Sequence, residues 1–255
     1  MEHARFGLSK RALTLHLDSI MTFNSASDRY TYINTMFGQI AHRYDVMNRL
    51  MTMGQDVRWR KLLVQAVNLP KKRGRLLDVA IGTGDVACET LRQHPHLEII
   101  AGIDFAMPMI QIGQKRNCSD KIDWHAGNAL QLPFHDHTFD AVVSGFLLRN
   151  VIDVRQTLME QVRVCRRGGQ VAILEIPRPA YNWHGKLFRL YFHNIVPIIG
   201  GIISGQLDAY RYLPNSADAF LSADELKQTM EAVGLKNVRF AMLMFHTVAL
   251  HVGEK

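Results

Sequence analysis

No CxxC spacing exists among the three cysteines, Cys88, Cys118 and Cys165, so neither a thiolate zinc site nor a vicinal redox pair is expected. An odd number of cysteines fits a reducing compartment. No apolar stretch near the N-terminus runs into a small-residue cleavage site, so the chain does not read as secreted. Residues 1–28 carry Arg5, Lys10 and Arg11 with few acids, which weakly resembles an organellar transit peptide. The blander reading is a flexible tail. A cytoplasmic location is expected, peripheral to the inner face of a membrane, with the mitochondrial matrix as the alternative. The most apolar region, 187–207, is interrupted by Arg189, His193, Asn194 and Pro197, and its uncharged part is too short to cross a bilayer. Repeats and low-complexity tracts are lacking. The 12 histidines have no converging carboxylates, and His94, His96, His135 and His137 lie beside prolines or turn residues, so no metal is expected.

The chain does have a positive balance, +7 with a pI near 9.4. Such charge favours anionic partners. Its basic residues are dispersed apart from Lys71-Lys72-Arg73 and Arg166-Arg167, so no basic stripe supports a nucleic-acid partner. At 255 residues the chain is long enough for one α/β domain with an insertion.

The most informative stretch is Leu76-Leu-Asp-Val-Ala-Ile-Gly-Thr-Gly84, an apolar run ending in two glycines that feeds a helical pattern at Asp85-Val86-Ala87. Glycines in such a turn let backbone N–H groups approach a ligand where a Cβ would collide. Gly82-x-Gly84-x-x-Ala87 fits a dinucleotide fingerprint, with Asp104 at the spacing of a ribose-binding acid. The same residues fit an S-adenosylmethionine (AdoMet) loop, with Asp78 at the strand tip meeting an ammonium group and Asp104 accepting from ribose hydroxyls. The glycines alone leave both cofactors open.

Around this loop the chain alternates. Strands are expected over 75–80, 98–103, 122–125, 139–144 and 170–174, with helices over 85–93, 108–115 and 154–165. Gly168-Gly169 is read as the turn into the fifth strand. Residues 30–67 read as helical with a break at 52–54. Residues 177–220, punctuated by Pro177, Pro179, Pro197 and Pro214, read as an inserted helical cap. Ser222 then caps a helix with Glu225 in capping-box position, and 238–243 and 247–252 finish the sheet at an antiparallel edge. The fold class is α/β, a doubly wound, mostly parallel Rossmann-like sheet with N-terminal helices and a cap, forming one domain over 29–255.

A second set of motifs separates the cofactors. Asn128, in Gly127-Asn-Ala-Leu-Gln-Leu-Pro-Phe134, both donates and accepts, as an adenine edge requires, with Ala129 beside the ring. The loop Gly145-Phe-Leu-Leu-Arg-Asn-Val151 follows the fourth strand, where ligands of open sheets sit. Arg166-Arg-Gly-Gly-Gln-Val171 resembles the Lys/Arg-Pro-Gly-Gly turn of many methyltransferases, with Arg167 in place of proline. Together these favour AdoMet, held by Asp78, Ala80, Gly82, Thr83, Gly84, Asp104, Phe105, Asn128 and Ala129.

At this point the chain resembles the ubiquinone/menaquinone biosynthesis C-methyltransferases over roughly residues 35–255. The resemblance rests on Phe37-Gly-Gln-Ile-Ala-His-Arg-Tyr-Asp-Val-Met-Asn48, the glycine loop, Leu132-Pro-Phe134 with Thr138-Phe-Asp140, Leu148-Arg-Asn-Val151 and Tyr210-Arg-Tyr-Leu-Pro-Asn-Ser216. It implies C-methylation of a polyprenylated hydroquinone, either a demethylmenaquinol or a 2-polyprenyl-6-methoxybenzoquinol type. Arg149 and Asn150 are the implied catalytic residues, the former stabilising a phenolate and the latter fixing a hydroxyl or a water. Tyr210 and Tyr212 are implied ring contacts, with cap packing as the alternative. Tyr44 and Asp45 lie on a helix that closes over AdoMet or is merely local structure. Phe188, Tyr191, Phe192, Ile195, Val196 and Ile198 are expected to line a prenyl groove, and Lys186 and Arg189 to meet an acidic membrane surface. A homodimer or a quinone-synthesis complex is the other partner expectation. The family pattern is broken at Ile81, expected to tighten backbone approach to AdoMet, at Leu147-Leu148, expected beside the acceptor, and at Phe220-Leu-Ser. The rival readings are methylation of another phenolic metabolite or a phospholipid amine, an RNA methyltransferase, and a non-catalytic subunit of a quinone-synthesis complex.

Overall fold

Apolar runs bounded by glycine or polar turns become strands. The computed structural model describes residues 26–255. Seven strands make one sheet in the order β3-β2-β1-β4-β5-β7-β6: β1 (Arg75–Val79), β2 (Ile99–Asp104), β3 (Asp123–Ala126), β4 (Phe139–Gly145), β5 (Cys165–Glu175), β6 (Lys236–Leu243) and β7 (Val248–Glu254). The first five pair in parallel, and β7 enters antiparallel between β5 and β6. β1 and β4 are buried almost throughout, as central parallel strands covered on both faces must be.

The N-terminal segment forms α1 (Ala26–Ile40), a 3-10 turn (Ala41–Arg43), α2 (Tyr44–Met51) and α3 (Gln55–Gln65). The expected break falls at Gly54, whose φ of +75° a side chain would strain. Then come α4 (Asp85–Gln93), α5 (Met107–Gly113) and α6 (Val154–Val164). The cap consists of α7 (Trp183–Leu190), a π-helical turn (Tyr191–Ile195), α8 (Val196–Ser204) and α9 (Leu207–Asp218), followed by α10 (Ala223–Ala232). Ser222 and Glu225 close the capping box on each other's backbone N–H. Two core clusters cover the two faces of the sheet, and a third joins α1, α2, α5 and the cap above its carboxyl edge. No described helix is long and apolar enough to cross a membrane.

Two local expectations change. The fifth strand begins at Cys165, not 170. Cys165 pairs with Phe139, the ladder resumes at Gln170 opposite Ala141, and the intervening residues bulge out to reach the chain end through Gly168 N–H on Lys255 O at 2.8 Å. Cys88 and Cys118 form a disulfide although their spacing gave no sign of a pair. The pairing is tertiary: α4 and the turn before β3 pack on the same face of the sheet, with both residues against its core cluster.

Ile81, expected to tighten backbone approach to AdoMet, borders the space at the glycine loop and also packs into the core of the sheet. Ala80 turns with φ +62°, and Ile81 swings inward to 5 % exposure. A Cβ on Gly102 would overlap its Cδ1. The two positions share one volume. Gly102→Ala is therefore expected to lower stability by about 1–3 kcal/mol in urea unfolding, with Ile81→Ala in the same chain recovering part of it. Fully additive losses would show that the two side chains do not compete.

Candidate active site

The carboxyl edge of the sheet brings the expected acids together. Asp78, near the end of β1, is 1 % exposed, and its Oδ2 is buried without a hydrogen-bond partner. Burial first, then the neighbouring Asp104 charge, hold its carboxyl well above the usual carboxylate range. Asp104 ends β2 and is better served. Its Oδ2 accepts from Gly82 N–H at 2.8 Å and its Oδ1 from Ala106 N–H at 2.9 Å, so burial raises its pKa against opposing backbone donors. Gly82 has φ +56°, and nothing lies within 4 Å of where its Cβ would be. Asp78, Ala80, Gly82 and Thr83 border a cavity of about 370 Å³ together with Tyr44, Arg60 and Phe146. Gly84 enters α4 at φ +88°, where a Cβ would meet the Trp124 ring at 2.7 Å.

Thr83 borders the same cavity, and its hydroxyl donates to Asp45 Oδ1 at 2.7 Å, tying α2 to the loop. Asp85 reinforces that tie: Arg116 reaches it at 2.7 Å, Arg49 at 2.9 Å and Arg60 at 3.5 Å. Burial would raise Asp85, but these guanidinium groups hold its carboxyl below the ordinary range.

A second cavity, about 420 Å³, lies beside the loops after β2, β3 and β4 and is bordered by Ile33, Phe105, Asn128, Ala129, Leu147 and Asn150 among others. Asn128 Oδ1 already accepts from Leu130 N–H at 2.9 Å, which leaves its Nδ2 as the donor for a ligand. Leu147, expected beside the acceptor, borders this cavity instead.

A third cavity, about 970 Å³, opens under the cap. Its wall is apolar and aromatic, with contributions from α1, α2 and the inner faces of α7 and the π turn. Phe188, Tyr191, Phe192 and Val196 line it as expected, whereas Ile195 and Ile198 point outward and are exposed. Arg149 also lines it. Its side chain is 5 % exposed and ion-paired with Glu175, which is fully buried at the end of β5. Arg149 Nε is buried with no hydrogen-bond partner. Tyr210 is in the wall, its ring against Gly200. Tyr212 is not among the lining residues, because positions two apart on α9 face nearly opposite ways. Its hydroxyl donates to Asn150 Oδ1 at 3.2 Å. Asn150 in turn donates from Nδ2 to Phe146 O at 2.9 Å, so its amide bridges Tyr212 and Phe146, and the residue borders the second cavity and not the third. Glu175 and Phe146 escaped the sequence reading. An acid closing a buried apolar strand was the available signal for the first.

The first two cavities meet the demands of AdoMet. An ammonium group would satisfy the orphaned Asp78 oxygen, and the open space at Gly82 admits a ligand against backbone; Asp104, the expected ribose acceptor, lines neither cavity and adjoins them through Gly82 and Phe105. Sheet order, glycine loop and paired acids define an AdoMet-dependent methyltransferase. Residues 24–255 match the ubiE/COQ5 methyltransferase family, and the chain belongs to it. A demethylmenaquinone methyltransferase of Thermus thermophilus is 41 % identical over 222 residues, covering 86 % of this chain and 100 % of that protein. The ubiquinone/menaquinone biosynthesis C-methyltransferase UbiE of Geotalea uraniireducens is 40 % identical over 227 residues, 88 % of this chain and 96 % of that one. Among solved structures, the 4+2 cyclase SpnF superposes with a TM-score of 0.64 at 15 % identity, covering 88 % of this chain and 94 % of that one. Phosphoethanolamine N-methyltransferase 2 of Haemonchus contortus, solved with S-adenosyl-L-methionine, gives 0.58 at 11 %, covering 77 % and 52 %. These two likenesses are of fold.

Asp78 supplies a test. Its folded-state pKa lies above the unfolded one, so the stability it contributes is present at low pH and lost as pH rises through the folded value. Asp78→Asn removes that cost. The variant is expected to melt higher than wild type at neutral pH without ligand, yet bind AdoMet about 10–100-fold more weakly, since charge-assisted hydrogen bonds are the strong ones. Unchanged AdoMet affinity by calorimetry would remove Asp78 from the site.

Proposed function

We propose that this enzyme C-methylates the ring of a polyprenylated hydroquinone in menaquinone or ubiquinone biosynthesis. The acceptor is of the demethylmenaquinol or 2-polyprenyl-6-methoxybenzoquinol type. One observation carries the reading: a buried Arg149 Nε–H without a partner stands in the wall of a large apolar cavity that adjoins the cofactor cavity. A largely apolar chamber suits a prenylated ring, and among its described lining residues Arg149 is the one cation, with Asp56 the one acid, which disfavours a phosphate head group and hence a phospholipid amine. The names of the Thermus and Geotalea relatives point the same way.

The chemistry follows from the charges. When bound, AdoMet supplies an electrophilic methyl group. A ring carbon becomes nucleophilic when the neighbouring hydroxyl loses its proton. Arg149 stays a cation, because a guanidinium does not deprotonate in proteins and Glu175 stabilises its charge. Its free N–H is therefore suited to a phenolate oxygen rather than to proton abstraction. Glu175 holds the fork by accepting both from the side chain and, at 3.3 Å, from Arg149 N–H. Tyr210 would pack on the ring or the first prenyl unit.

The decisive measurement is methyl transfer from AdoMet to each hydroquinone with the purified enzyme, alongside quinone profiling of cells lacking the gene. Demethylated quinone should accumulate, and its ring type identifies the acceptor; an unchanged pool refutes the reading. In the same assay Arg149→Lys should lower kcat roughly 100-fold, the scale seen when one donor to a developing oxyanion is lost.

We also propose that the cap rests on the cytoplasmic face of a membrane while the prenyl tail enters. Trp183, Leu187 and Leu190 recur along one outer face of α7 and are exposed, Trp183 at 68 %, with exposed Lys186 beside them. Arg189 does not join that surface, since it is held by Asp218 at 3.1 Å and by Pro179 O. Wild type should co-sediment with anionic vesicles and Trp183→Asp should not. Equal sedimentation of the two would remove the cap from the membrane.

A further inference from the structure

The cofactor cavity and the acceptor cavity share two bordering residues, Tyr44 and Phe146. Phe146 is one of a small set of non-glycine residues with positive φ, at +61°. A left-handed backbone disfavours a bulky side chain and persists where the surroundings over-determine it. Here they do. Phe146 N–H donates to Leu174 O at 2.7 Å, and Phe146 O accepts from Asn150 Nδ2 at 2.9 Å. The ring is held as well, edge-on to Trp59 with centroids 6.4 Å apart, and with the Arg149 guanidinium carbon 5.5 Å from its centroid. Asn150 is itself fixed by the Tyr212 hydroxyl. A chain of contacts from α9 through Tyr212 and Asn150 thus ends on the backbone of one strained phenylalanine at the wall between two cavities.

Resting on the functional reading above, we propose that Tyr44 and Phe146 form the aperture across which the methyl group passes, and that the Phe146 ring positions the acceptor carbon against it. At that point the new carbon–carbon bond takes its electron pair from the phenolate ring, the carbon–sulfur bond breaks with its pair left on sulfur, and the ring carbon then gives its proton to water, which restores the aromatic ring. Phe146 takes no part in bond making. It supplies a flat, water-excluding surface at a fixed place, and the left-handed backbone is what brings the ring to the wall. Asn150 acts through Phe146 as a positioning residue.

The test compares Phe146→Leu, which keeps apolar bulk and loses the ring, with the conservative Phe146→Tyr. Two readouts are used: methyl transfer to the prenylated hydroquinone, and calorimetric binding of S-adenosylhomocysteine and of 1,4-naphthoquinone, each alone and in the presence of the other. Phe146→Leu should lower kcat about 10–100-fold, the cost of a misplaced reacting pair, with S-adenosylhomocysteine affinity unchanged and the mutual influence of the two ligands lost. Phe146→Tyr should retain both. Asn150→Ala should resemble Phe146→Leu. A Phe146→Leu variant with wild-type kcat overturns the aperture and leaves the function standing. Loss of binding of both ligands together also overturns it, because the residue would then be merely structural. If wild type methylates no prenylated hydroquinone, the function falls, and the aperture is decided by whether Phe146→Leu uncouples the two ligands.

Discussion

Carboxyl groups buried along the carboxyl edge of the sheet impose the constraint on which the site is built. An ionised carboxylate out of water must find a counter-charge, hydrogen-bond donors or a proton. Three acids at the ends of β1, β2 and β5 meet that demand in three ways. Asp104 takes backbone N–H groups from the glycine loop and the turn before α5. Glu175 takes Arg149. Asp78 is left with an unpartnered oxygen, and its carboxyl is pushed well above the usual range. The acid left with an unpartnered buried oxygen is the one suited to a cationic ligand, a division between stability and function that protein sites commonly show.

A second electrostatic arrangement sets the walls of the site relative to the sheet. Asp85, at the first position of α4, gathers Arg49 from α2, Arg60 from α3 and Arg116 from beyond α5. An acid in the first turn of a helix is favoured by the exposed N–H groups there. With three guanidinium groups around it, that acid also joins the N-terminal helices to the cofactor loop. Tyr44 and Asp45 share this junction, one bordering both main cavities and the other accepting from Thr83. Their placement sets this segment beside the glycine loop.

The cap divides its helices by face. Phe188, Tyr191, Phe192 and Val196 turn inward to the large cavity while Trp183, Leu187, Ile195 and Ile198 remain outside. Helical spacing does this automatically, since residues three or four apart share a face and residues two apart do not. The same rule separates Tyr210, in the cavity wall, from Tyr212, which reaches Asn150 instead.

What the residues determine on their own is local. Apolar runs set the strands, two glycines and a capping box set turns and helix starts, Gly54 breaks the N-terminal helices, and Asp78 and Asp104 fall at strand tips because the strand lengths put them there. Family motifs extend that reading to the cofactor and to the Arg149 loop. What only the tertiary structure decided is which distant groups meet. Glu175 reaches Arg149 because β4 and β5 are neighbours in a parallel ladder; Cys88 reaches Cys118 because two crossovers pack on one face; Ile81 fills the space that Gly102 leaves; and Phe146 borders two cavities, the larger of which is walled by residues from Met36 to Val248. Short-range periodicity and turn chemistry are written residue by residue, whereas pairing across the sheet depends on strand order and on the volumes of side chains far apart in the chain.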